Sequence, residues 1–300
     1  MSAAKNIAAS VRQKLLNKAR KEKRPFAELL QYYAMERFLF RLSQSPHAQS
    51  FILKGALMLR VWKSSEFRPT MDIDMLGITS NDKTNIVAMI LDVIHVDVEP
   101  DGLNFDIDSI KSESITEEAD YQGIRIRFLG TLDSARVNMQ IDIGFGDIIY
   151  PDPEISEMPA ILDFAAPNLL CYSRESAIAE KFEAMVKLGI LNSRMKDFYD
   201  IWLLSRQFDF NGNDLAKAIN LTFEKRGTSI ENDVIAFQET FIKEKQIQWT
   251  AFRKRLDQEY LPKHFAEIIN SVASFLNPIV EAARQNRTFE RKWIAADSWQ

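Results

Sequence analysis

Asp72 and Asp74 stand two residues apart in a run of strict alternation, Met71-Asp72-Ile73-Asp74-Met75-Leu76-Gly77. On a β-strand that spacing projects both carboxylates to one side, while Met71, Ile73 and Met75 pack behind them. Two adjacent carboxylates repel each other unless a cation lies between them, and an all-oxygen donor set suits magnesium or manganese. A second alternating segment offers a further carboxylate, Asp142, on the side of Asn138 and Gln140, with Val137, Met139, Ile141 and Ile143 opposite. Three acids on neighbouring strands match the needs of in-line phosphoryl transfer: two hold the metal bound to a triphosphate, and the third helps to position or deprotonate an acceptor hydroxyl. The plainer alternative for a lone D-x-D is a charged strand edge that discourages pairing between molecules.

Other residues have a chemical and a structural reading side by side. Gly55 closes the apolar stretch Phe51-Ile52-Leu53-Lys54 ahead of a short apolar helix expected over Ala56–Trp62. It either lets phosphates approach the backbone and the amides that follow, or simply makes a turn. Arg68 is a strut for Asp72 or a phosphate ligand. Lys181 adjoins the apolar stripe of its helix, where a lysine commonly covers hydrophobic surface with its stem. Asp197 and Asp200 share a helix face that would ordinarily be solvated, yet Ile201, Leu203 and Leu204 make that helix apolar on more than one side. Arg194 and Lys196 neutralise those acids or reach an acceptor phosphate. Trp249 with Arg253, Lys254 and Arg255 is a stacking and binding face for RNA or a packing face. His47, His95 and His264 are too isolated for a catalytic or metal-ligating set and read as ordinary core or surface residues.

The elements that must hold these residues divide by texture. Residues 1–50 read as a helical segment, with Leu15, Leu16, Leu29, Leu30, Tyr33, Met35, Phe38, Leu39 and Leu42 near the 3.6-residue period and Pro25 opening the second of two helices. Residues 51–150 read as a small mixed sheet with a helix at about 82–95 and strands at Ile124–Leu129 and Arg136–Ile143. Residues 151–170 carry four of the ten prolines, which predicts an irregular linker. Residues 171–300 read as an all-helical domain. Ser173 caps its first helix, Gly189 stops it, and Ile178, Phe182, Met185 and Val186 form the buried face. A second helix spans about Arg194–Arg206, and the polar tail past residue 284 is expected to be loose. The class is α+β.

Composition narrows the chemistry. The single cysteine, Cys171, excludes intrachain disulfides, and the three histidines have no ligand spacing, so zinc hydrolases and Cys/His nucleophile enzymes are poor fits. The net charge of −4 hides eight Lys/Arg against Glu22 alone in residues 1–24, and ten against seven acids in 241–300, leaving 20 bases and 34 acids between. An acidic middle suits cations; the basic ends either meet a polyanion or are solvated helix faces. No apolar leader opens the chain and no run of about 18 apolar residues occurs, so the expectation is a cytoplasmic protein with no membrane contact.

Several separated segments resemble, in order, the motifs of the AbiEii/AbiGii toxin family of nucleotidyltransferases, which share the polymerase-beta-type core. They are Leu53-Lys54-Gly55-Ala56, Arg68 to Asp74, Ile141 to Asp147, Glu180 to Ala184, and Arg194 to Asp200. The likeness extends from about residue 10 to 206. It implies an NTP-using, magnesium-dependent toxin paired with a cognate antitoxin, and an acceptor such as the tRNA 3′ end. It further implies that Asp72 and Asp74 bind metal with Asp142 as third carboxylate, that Lys181 meets the nucleotide phosphates, and that Asp200 is a further catalytic-site acid. One departure stands out: where the motif glycine is often followed by Gly, Ser or Thr, this chain has Ala56 and Leu57, so phosphate contacts fall to backbone amides, Lys54 or Lys181. An enzyme of the same core that adds AMP to proteins, or a catalytically silent binding module, are the rival readings.

Overall fold

The computed structural model describes residues 2–66, 68–117, 121–230, 233–285 and 287–300. The chain divides into two compact units, residues 1–146 with 154–171, and residues 147–153 with 172–300. The side chain of Lys5, in the basic N-terminal run, lies outside the described residues.

In the first unit, α1 (Ser2–Glu22) and α2 (Phe26–Gln44) are separated at Pro25, whose carbonyl accepts from the amides of Glu28 and Leu29. There follow β1 (Phe51–Lys54), a 3-10 turn at Gly55–Leu57, a single helical turn α3 (Met58–Val61), β2 (Ile73–Gly77), α4 (Lys83–Ile94), β3 (Leu103–Glu117), β4 (Tyr121–Leu132), β5 (Ala135–Phe145), β6 (Glu154–Glu157) and β7 (Asn168–Cys171). The strands form one seven-stranded mixed sheet in the order β3-β4-β5-β2-β1-β7-β6. β2 runs parallel to β5 and β1 parallel to β7, while the other neighbours are antiparallel. One face is apolar and buried: Ile73, Met75, Ile124, Ile126, Phe128, Met139, Ile141 and Ile143. Phe38 of α2 packs edge-on or tilted against Phe105 and Phe128 there.

In the first unit the structure departs from the sequence reading at three places. The 151–170 stretch, expected to be irregular, carries β6 and β7, whose pairing runs Glu154↔Cys171 to Glu157↔Asn168; its prolines flank these short strands instead of interrupting them. β3 escaped notice because its register shifts between Asp106 and Lys111, which breaks the period-two pattern and leaves Ile107 exposed. Met71 does not pack behind the acids: it precedes β2 and is 58% exposed.

α2 is buried nearly all round, polar residues included, so each polar group needs a partner. Arg37 and Arg41 both reach Asp101, Arg41 through two nitrogens at 2.6 and 3.1 Å. Glu36 accepts from the Ile161 amide at 2.6 Å.

The second unit holds α5 (Arg174–Leu188), α6 (Met195–Gln207), β8 (Phe210–Asn211), α7 (Gly212–Lys225), α8 (Glu239–Leu256), α9 (Phe265–Arg284) and β9 (Lys292–Trp293). Ser173 Oγ caps α5 by accepting from the Ser176 amide, and Gly189 ends it at φ +48°. Ile178, Phe182 and Met185 are buried as the periodicity predicts, with Val186 only half-buried. The two-residue ladder of β8 and β9 departs from an all-helical arrangement. The tail is also not loose: Trp299 stacks on Phe275 with ring centroids 5.6 Å apart, and Trp293 is buried beside it. Trp249 is fully buried, donates to the Pro262 carbonyl and packs on Phe265, which makes it a packing residue.

Burial pushes the Glu36 carboxyl up to about 7, against the Ile161 amide and the guanidiniums of Arg37 and Arg60, which pull it down. A carboxyl raised on folding binds its proton more tightly in the native state. Its contribution to stability is therefore full below its ordinary value of 4.5 and is lost as pH rises through about 7. Glu36→Gln is expected to flatten urea stability between about pH 5 and 7 and to raise it by up to about 3 kcal/mol at pH 8; a profile identical to wild type would refute the assignment.

Candidate active site

The sheet register assembles the acids. Asp74 of β2 lies opposite Asp142 of the parallel strand β5, and Asp72 precedes Asp74 by one strand period. Asp72, Asp74 and Asp142 each offer a carboxylate oxygen within 4.8 Å of the others. Asp142 is buried; Asp72 and Asp74 are half-buried. Three like charges this close favour a cation among them, and an oxygen-only set fits a hard divalent ion, whose opposed ligands stand about 4.2 Å apart at magnesium distances. This acid cluster can therefore hold a metal ion.

Asp72 and Asp142 are each oriented by hydrogen-bonding neighbours. Thr70 Oγ1 donates to Asp72. Arg125 of β4 grips both oxygens of Asp142, through Nε and Nη2 at 2.7 Å each, and Gln140 adds a third donor at 3.2 Å. The bond to Asp142 in turn holds the Arg125 guanidinium more firmly protonated. The segment before β2 is pinned from α2. Tyr32 OH accepts from the Thr70 amide at 3.1 Å and donates to the Arg68 carbonyl at 3.4 Å, while Gln31 donates to the carbonyls of Met71 and Asn138, both at 3.0 Å. Gln31, Tyr32, Thr70 and Arg125 went unnoticed in the sequence. Buried polar side chains in an apolar helix were the available signal for the first two.

Lys54, the last residue of β1, stands in register with Asp74 on the side away from Asp142. Lys54 and Arg68 are half-buried. Gly55 has a structural reason that outranks turn-making. It sits at φ +74°, and a Cβ there would lie 1.9 Å from Asp74 Oδ2 and 2.7 Å from its Cγ. The missing side chain is the space that the Asp74 carboxylate occupies. Ala56 and Leu57, in place of the motif's small or hydroxyl residues, are buried in the core.

The second unit gathers the later motifs. Lys181 on α5 meets Asp200 at 2.7 Å and Asp197 at 3.3 Å, both acids on α6 and both buried, with Arg194 3.9 Å from Asp197. Lys181 is thus an ion-pair partner and not a stem covering apolar surface, and the two acids are not solvated. The other charged motif residues converge on Arg226, just past α7, which meets Asp147 and Glu183 at 2.9 Å and Glu180 at 3.7 Å. Those three acids hold Arg226 protonated against the cost of its burial. His47 pairs with Asp92, His95 meets the Leu91 carbonyl and His264 caps α9. Among the described residues, the three aspartates form the one group with metal-ligating geometry.

Gly55→Ala combines an unfavourable φ with a direct overlap on Asp74. It is expected to cost about 1–3 kcal/mol in urea denaturation; an equally stable variant would contradict the geometry.

No curated protein matches the chain. Two solved Helicobacter pylori structures resemble it. One, presented as a candidate nucleotidyltransferase, has 13% identity and a TM-score of 0.48 and covers 87% of this chain and 98% of its own. The other, JHP933, has 13% identity and a TM-score of 0.48 and covers 86% and 94%. No helix among the described residues is long and apolar enough to cross a membrane. Residues 37–271, from within α2 into α9, match the model of the nucleotidyl transferase AbiEii toxins of type IV toxin–antitoxin systems, and over that length the chain belongs to this nucleotidyltransferase family, whose toxins have a cognate antitoxin.

Proposed function

We propose that this toxin transfers a nucleoside monophosphate from an NTP to the 3′ end of tRNA, acting in the cytoplasm with magnesium as its ion. The observation that carries the reading is the cluster of Asp72, just ahead of β2, Asp74 of β2 and Asp142 of β5, whose oxygens lie within 4.8 Å of one another. In this reading residues 51–150 supply the ligands: Asp72 and Asp74 would hold the ion that the triphosphate also binds, and Asp142 would complete the set and help to position or deprotonate the acceptor hydroxyl. Magnesium, or manganese in its place, would when bound neutralise the charge that develops on the phosphoryl and leaving oxygens. Lys54 and Arg68 take triphosphate oxygens beside Gly55. Lys181, in residues 171–300, is assigned to the nucleotide phosphates by the family likeness, and Asp200, 2.7 Å from its ammonium, is placed to orient it. Catalysis is positioning and electrostatics, with no covalent enzyme intermediate required.

The test is incubation of the purified chain and magnesium with each labelled NTP, total tRNA and, separately, a protein extract. Label should enter tRNA with one preferred NTP and vanish in Asp72→Asn and Asp74→Asn, whose circular dichroism stays native. Label confined to protein would overturn the acceptor, and undiminished transfer by either variant would overturn the site.

Lys181→Ala should raise the NTP concentration needed for half-maximal single-turnover transfer by about tenfold or more, the loss of one charge-assisted phosphate contact. An unchanged NTP dependence would remove Lys181 from the nucleotide site.

A further inference from the structure

One transverse row of the polar sheet face reads Glu113, Arg125, Asp142, Asp74, Lys54, each in register with the next on β3, β4, β5, β2 and β1. Within that row Arg125 does more than neutralise a neighbour. Its planar fork takes both oxygens of Asp142 at 2.7 Å. Its side chain is 27% exposed where that of Asp142 is 8%, so the guanidinium has room to move and the carboxylate does not. Its other ion pair among the described residues, 3.9 Å to Glu113, is long. A divalent ion bound by the three aspartates requires the same carboxylate, and a guanidinium grips a phosphate with the same paired geometry as a carboxylate.

We propose that Arg125 is the resident counter-ion of the acid cluster: it grips Asp142 while no divalent ion is bound, cedes that carboxylate to the ion, and transfers its fork to the phosphates of the incoming nucleotide. The proposal rests on the reading of the three aspartates as metal ligands. It makes Arg125 a competitor of the ion and a partner of the nucleotide, so removing it acts with opposite sign on the two. A merely structural strut has a different signature, since its loss weakens both. Arg127 is the natural comparison, because it lies two residues along on the same face but bonds Gln140 and Glu113 instead of the aspartates.

Manganese binding to the full chain, without nucleotide, is read from the electron paramagnetic resonance signal of free Mn2+. Arg125→Gln should bind about tenfold tighter than wild type, the effect of removing a nearby unit charge partly screened by water. Arg125→Lys, which keeps the charge and loses the fork, should tighten less. Arg127→Gln should stay within about twofold of wild type, as a screened charge without contact predicts. With saturating Mn2+, a non-hydrolysable NTP analogue should bind Arg125→Gln at least about fivefold more weakly, the loss of a bidentate phosphate contact. Unchanged or weaker Mn2+ binding by Arg125→Gln, or unchanged analogue binding, would overturn the proposal while Asp74→Asn still abolishes Mn2+ binding. Absence of Mn2+ binding in wild type, or its survival in Asp74→Asn, would instead sink the metal-site reading itself. Should Arg125→Gln lose its native circular dichroism, Arg125→Lys carries the same comparison of signs.

Discussion

Three carboxylates held within 4.8 Å of one another repel, and the rest of the first unit is arranged so that they cannot move apart. They belong to β2, its lead-in and β5, whose opposite sides are the fully buried Ile73, Met75, Ile141 and Ile143. A one-residue slip would bury the acids and expose that apolar row, so the hydrophobic face fixes the electrostatic one. Relief comes from in-register cations: Arg125 beyond Asp142 and Lys54 beyond Asp74. Gly55 completes the arrangement by leaving the volume that Asp74 fills. Like charges concentrated in this way are a destabilising feature that a fold retains where a cation is to be captured.

Helix α2 supplies much of the rigidity. A helix buried on nearly every side cannot expose its polar groups to water, so Gln31, Glu36, Arg37 and Arg41 are committed to protein partners. Gln31 and Tyr32 spend theirs on the segment 68–71 and on β5, which orders the backbone leading into Asp72. Arg37 and Arg41 converge on Asp101, just before β3, and Glu36 holds the loop ahead of β7. One element thereby ties the site's lead-in to both ends of the sheet.

In the second unit the charged motif residues separate into two groups with different surroundings. Asp147, Glu180 and Glu183 surround Arg226, a buried cation that would be costly without them. Lys181 faces the other way, to Asp197 and Asp200. Adjacent helical positions differ in direction by about 100°, so Glu180 and Lys181 can belong to separate networks. A motif of consecutive charged residues thus contains both the framework of α5 and the lysine that the family likeness singles out.

Periodicity was enough to read the helices around Pro25, the strand of Asp74, though it begins only after Asp72, the strand of Asp142, and the Ser173 cap with its Gly189 stop, because these depend on neighbours a few residues away. The likeness of the motifs to the AbiEii family was legible for the same reason. Partners remote in the chain were not. Arg125 meets Asp142 only through the β4–β5 register, Gln31 finds Met71 and Asn138 only once α2 lies on the sheet, and the shift in β3 hides its alternation. The proline-rich stretch became two strands and the polar tail closed on Phe275 because long-range pairing and aromatic packing outweighed local preference. Local sequence dictates which residues can share a side of a strand or helix; which oxygen meets which nitrogen depends on strand order and register, set by the burial of the opposite face.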